Sequence, residues 1–71
     1  MRVYVVTGKY RGNEQFIGVY KDKAIAQQNI TIRKPGAIKV DENHYRLEVN
    51  NNYILWQQKT EVMYTIWEYV I

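Results

Sequence analysis

Phe16-Ile17-Gly18-Val19-Tyr20-Lys21-Asp22-Lys23-Ala24-Ile25-Ala26-Gln27-Gln28-Asn29-Ile30 holds the point where an extended pattern gives way to a helical one. Its first five residues are β-branched or aromatic around a single glycine, side chains that pack well on a pleated surface, and they predict a strand. From Lys23 to Ile30 there is no proline or glycine, and Ala26 and Ile30 stand four apart on one helical face with Ala24 and Ile25 flanking. Asp22 precedes this run as a natural N-cap, because a carboxylate there accepts from free backbone N–H groups and suits the positive end of the helix dipole. The β-branched pair Thr31-Ile32, followed by Pro35-Gly36, predicts the end of the helix. A helix of roughly two to three turns is unstable alone, so its small apolar face needs a sheet to lie on.

Upstream, Arg2-Val3-Tyr4-Val5-Val6-Thr7 has too little alternation to keep one face in water and predicts an interior strand. Gly12-Asn13 then supplies residues suited to a tight hairpin turn. A turn centred there sets Val6 opposite Val19 and Val5 opposite Tyr20, giving apolar pairs on both faces of the hairpin, of which one helix covers only one. The opening Val-Tyr-Val-Val (3–6), the turn, and Ile17-Gly18-Val19-Tyr20 leading into a helix with Lys23, Ala26 and Ile30 resemble a group of small uncharacterised proteins of Bacillus phages and prophages, of the SP-beta prophage type. The resemblance spans roughly the first thirty residues, rests on structural positions and carries no catalytic signature. Members of that group usually place Ser or Thr where Lys21-Asp22 stand, and many finish with a single strand where this chain continues.

Downstream, Ala37-Ile38-Lys39-Val40 predicts a short edge strand and Asp41-Glu42-Asn43 a turn. A hairpin over 45–58 with Asn51-Asn52 as its turn pairs Val49 with Ile54, Leu47 with Trp56 and Tyr45 with Gln58. A three-residue turn at Asn50 to Asn52 instead pairs Val49 with Tyr53 and Leu47 with Leu55, and the sequence does not choose between them. After a break at Gln57-Gln58-Lys59-Thr60, Glu61 to Ile71 forms the last strand. One of its faces carries Val62, Tyr64, Ile66, Glu68 and Val70, the other Met63, Thr65, Trp67, Tyr69 and Ile71. Neither is polar, so the strand is covered on both sides or presents one side to a partner.

These elements define one α+β domain over residues 1–71: a largely antiparallel sheet of four or five strands with one short helix on one face, in the order β-β-α-β-β-β. A chain of 71 residues without cysteine lies near the lower size limit for folding unaided, and its seven tyrosines and two tryptophans take the place of disulfide staples. The lack of cysteine and the shortness of the apolar run Val3 to Val6 point to a cytoplasmic protein with no membrane segment.

Chemistry is sparse. Serine and cysteine are absent, Thr7, Thr31, Thr60 and Thr65 are neither N-terminal nor beside the lone His44, and no glycine pattern cradles a phosphate. The expectation is a non-enzymatic protein without cofactor or metal. Two binding readings remain. In the first, Met63, Trp67 and Tyr69 present an apolar interface to a second copy of the chain or to another protein, although Trp56 and Trp67 would serve a small core equally well. In the second, Lys9, Tyr10, Arg11, Arg33 and Lys34 contact nucleic acid, in keeping with a net charge of +6 over residues 1–39 against −3 over 40–71. The same asymmetry also suits a two-sided surface that keeps the domain dispersed. Protein interaction, with a homodimer first, is the preferred reading.

Overall fold

A computed structural model describes residues 1–51 and 58–71 of the chain, and side chains outside 49–60. Its elements follow in the order β1 (Arg2–Tyr10), β2 (Asn13–Tyr20), α1 (Lys23–Arg33), β3 (Ile38–Asp41), β4 (His44–Asn51) and β5 (Gln58–Val70). The strands form one antiparallel sheet in the spatial order β2-β1-β5-β4-β3, with α1 on one face, an α+β arrangement. The first strand is interior, as expected, and the last, read as covered on both sides or presenting one side to a partner, is interior to the sheet as well.

Asp22 caps α1 as its sequence position requires, with its Oδ1 accepting from the Ala24 N–H at 2.8 Å. The helix runs on through Thr31 and Ile32 to Arg33, past the end expected from those β-branched residues. Their cost in a helix is only tenths of a kcal/mol, whereas proline removes a donor and clashes with the preceding turn, so Pro35 sets the limit. Ala26 and Ile30 are buried against Val6, Tyr45, Tyr64 and Ile66 of the sheet. The helix thus packs on β2, β1 and β5, with the Tyr45 side chain of β4 reaching its flank.

Two expected registers are corrected. The β1–β2 turn is Arg11-Gly12, both with positive φ (49° and 80°), and lies one residue earlier than Gly12-Asn13. Paired left-handed residues match the twist of the strands they join, and Gly12 takes that conformation freely. A bulge then leaves Ile17 without a partner, so that Thr7 faces Phe16 while Val6 faces Gly18 and Val5 faces Val19. The expected pairs Val6–Val19 and Val5–Tyr20 are each out by one.

The local 45–58 hairpin is also replaced. Tyr45 faces Tyr64, Leu47 faces Val62 and Asn51 faces Gln58, so β5 already includes Gln58-Lys59-Thr60, the expected break. The consecutive strands β4 and β5 pair six positions further along than the two-residue turn implies, which puts Tyr45 and Leu47 beside Tyr64 and Val62 on the helix side of the sheet, where their apolar surface joins the core. The expected partners Tyr53, Ile54, Leu55 and Trp56 lie outside the described residues, as does the question of whether Trp56 is core or interface. Among the described residues, no helix is long and apolar enough to cross a membrane.

Ile30 is buried while Ile25, on the same helix, is half exposed. Ile30→Ala is expected to cost about 2–4 kcal/mol in urea unfolding, and Ile25→Ala less than about 1 kcal/mol. Equal effects would mean that α1 is rotated from this packing.

Candidate functional site

Alternation along the strands divides the sheet into a face under α1 and an open face. The face under α1 carries Tyr4, Val6 and Gly8 of β1, Val62, Tyr64 and Ile66 of β5, and Tyr45 and Leu47 of β4. Burial raises the pKa of the Tyr45 and Tyr64 phenols, which holds both rings neutral within the core.

On the open face the cross-strand pairs are Val3–Tyr69, Val5–Trp67, Thr7–Thr65 and Lys9–Met63 between β1 and β5. Val19 extends the Val5–Trp67 row and Phe16 extends the Thr7–Thr65 row on β2. The Ile17 bulge makes this possible. Strict alternation would send residues three apart to opposite faces, but one extra residue between them returns Phe16 and Val19 to the same side. Phe16 is 67% exposed, Val19 53%, Trp67 45% and Tyr69 52%. Taking about 150–250 Å² per ring, the three rings leave roughly 300 Å² of aromatic surface in water.

Trp67 is held in place within this patch. Its indole Nε1–H donates to Thr7 Oγ1 at 2.9 Å, so the one polar atom of the ring is satisfied inside the chain and covering the ring would strand no donor. Toward the far end of the same face the surface turns polar. Met63 lies between Lys9 and Arg46, and Arg46 Nε approaches Glu61 Oε1 to 3.2 Å as an ion pair, outside hydrogen-bond alignment. That cation also relieves the like charges of Glu48 and Glu61, which are direct cross-strand neighbours. All three candidate interface residues, Met63, Trp67 and Tyr69, therefore share one face. Sequence reasoning missed Phe16 and Val19, and no sequence signal marks the bulge that turns them outward.

The five basic and aromatic candidates divide between faces. Tyr10 lies on the helix side of β1 with the Arg11 guanidinium 5.4 Å above its ring, and it shares a cleft of about 260 Å³ with Arg33 and Lys34 of the α1 terminus. Lys9, next in the chain to Tyr10, projects to the open face opposite Met63 and Glu14. Among the described residues, no three or more His, Asp or Glu side chains are grouped to hold a metal ion.

His44 is tied to its own turn. Its Nδ1 donates to Asp41 Oδ1 and Oδ2 at 2.8 and 3.0 Å, and the Asn43 backbone N–H donates to Asp41 Oδ1 at 2.8 Å. The Asn43 N–H first, and the His44 ring second, hold the Asp41 carboxyl below its ordinary pKa. Compared with family models, with curated proteins and with solved structures, the chain shows no match.

A carboxyl whose pKa falls on folding stabilises the fold above its unfolded pKa, and that contribution is lost as the pH drops through the folded value. Below about pH 4 the β3–β4 turn is therefore expected to loosen, seen as faster exchange of the Asn43 amide, and Asp41→Asn should remove that step. An Asp41 titration midpoint at or above the ordinary aspartate value would contradict the turn geometry.

Proposed function

We propose that the protein is a non-enzymatic interaction module, and that its open sheet face is occupied by a second copy of the chain. The observation that carries this reading is the contiguous patch of Phe16, Val19, Trp67 and Tyr69, exposed on the face that α1 does not cover. Val3, Val5, Thr7 and Thr65 fill the spaces between the rings. With the aliphatic neighbours the apolar patch comes to roughly 500 Å², so the roughly 800 Å² per partner of a standard interface takes in the polar rim as well.

Association through the face is favoured over association through the sheet edges. The edge strand β3 is only four residues long and bulged beyond Lys39, and the other edge, β2, is interrupted at Ile17. Short or bulged edges pair poorly with further strands. A two-fold axis near Trp67 would place aromatic rings against aromatic rings, with Lys9, Glu14, Arg46 and Glu61 at the rim where charges remain hydrated. Phage or prophage origin rests on the resemblance of residues 3–30 alone.

Light scattering is expected to give twice the chain mass at micromolar concentrations, little changed between about 50 mM and 500 mM salt because the contact is apolar. Phe16→Glu, on an edge strand and two-thirds exposed, should keep the fold by circular dichroism and weaken association by about thirtyfold or more. Tyr69→Glu should act alike. A single-chain mass up to about 1 mM, or full association in both variants, would sink the reading.

A further inference from the structure

A second surface, on the helix side and independent of the open face, has the makings of a ligand site. The cleft of about 260 Å³ lies between the β1–β2 turn and the end of α1. Its inner lining is Gly8, Ile17 and Tyr64; its outer lining is Tyr10, Arg33 and Lys34. We propose that this cleft binds a nucleoside phosphate, with the phosphate held by Arg33 and Lys34 and the base laid against Tyr10.

Charge is the first argument. No acidic side chain lines the cleft, and among the described residues Arg11, Arg33 and Lys34 make no ion pair. At the opposite end of the sheet Arg2 pairs with Glu68 and Lys23 with Glu42, each at 3.5 Å, while Lys21 beside them makes no ion pair among the described residues. Among the described residues, two of the three cations at that end are thus paired, whereas none of the three beside the cleft is. Arg11, stacked over the Tyr10 ring, adds a third positive group beside the aromatic one.

Shape is the second. A Cβ on Gly8 would come within 3.1 Å of the Tyr64 ring and 3.2 Å of Ile17 Cδ1, so the bare backbone of Gly8 lets that ring lie close and keeps the floor flat. Behind the cleft, a recess of about 20 Å³ shares Ile17, Tyr64, Arg33 and Lys34 and has room for little more than one water. The available volume suits one flat base, leaving sugar and phosphate at the mouth beside the cations. A nucleic-acid strand on a single-stranded path uses the same chemistry as a free nucleotide, with stacking on an aromatic side chain and cations on phosphate.

The site differs from phosphate sites at helix N-termini. Here the helix presents its C-terminal end, where the dipole disfavours anions, and the Lys34 backbone N–H is already given to the Ile30 carbonyl at 2.9 Å. Binding must therefore rest on the side-chain charges. Lys9, on the other face, takes no part.

The test titrates adenosine monophosphate by calorimetry, and a fluorescein-labelled oligothymidylate of about twelve nucleotides by anisotropy, at about 20 mM and 200 mM salt. At least one probe is expected to bind, and the paired substitution Arg33→Glu with Lys34→Glu should weaken it tenfold or more. Arg33→Gln with Lys34→Gln serves if the reversal disturbs the circular dichroism spectrum. Tyr10→Leu should weaken binding about five- to tenfold without changing the salt dependence, and Lys9→Glu should change it less than about twofold. Binding of the monophosphate identifies a nucleotide site; binding of the oligonucleotide alone identifies a strand. The proposal is overturned if neither probe binds at low salt, if the paired variants bind as the parent does, or if Lys9→Glu is as damaging as they are.

Discussion

The pairing of β1 with β5 is the constraint on which the other elements depend. It runs from Arg2 opposite Val70 to Tyr10 opposite Val62, and the terminal backbone groups continue it, with the Ile71 N–H donating to the Met1 carbonyl at 2.7 Å. Only with this ladder formed do Val6 and Ile66 stand side by side beneath Ala26 and Ile30. The β1–β2 and β3–β4 hairpins are local, but they are joined through the two ends of the chain. Such long-range contacts come late, because the loop entropy is lost before the contacts can offset it.

A single short helix then fixes the character of the two sheet faces. Eleven residues span about 16 Å, while five strands side by side span roughly 20 Å across and β5 alone runs to about 40 Å along its length. The helix covers β2, β1 and β5 on one side, and among the described residues no element covers the other. Among the described residues the buried hydrophobic set is correspondingly small: Val6, Ala26, Ile30, Tyr45, Tyr64 and Ile66. A core of this size without disulfides gains much from association, so the proposed role of the open face and the stability of the fold have one physical origin.

The ends of the sheet are electrostatically different, although each holds several basic residues. At the end where β1 begins, Glu68 and Glu42 partner Arg2 and Lys23, and Gln27 also donates to the Glu42 carbonyl at 2.9 Å, tying the helix to the β3–β4 turn. At the end where β1 finishes, the helix terminus and the hairpin turn bring Arg33 and Lys34 beside Tyr10 with no acid in the cleft. Net charge by halves of the sequence reports neither fact. Ligand capture belongs to the spatial arrangement of the charges rather than to their sum.

By itself the sequence determined the element types and their order, because its signals are local: the Asp22 cap, Ala26 and Ile30 four apart, the punctuation at Pro35-Gly36, and a last strand apolar on both sides. It also placed Met63, Trp67 and Tyr69 on one face, since strand alternation is a property of the backbone. Registers were decided only in three dimensions. Leu47 had apolar partners nearby in the chain and faces Val62 instead, in a register that lines Tyr45 and Tyr64 up on the face carrying the core. The Ile17 bulge, which turns Phe16 outward beside Val19, and the meeting of Tyr10 with Arg33 arise from packing between segments that carry no mark of one another in the sequence.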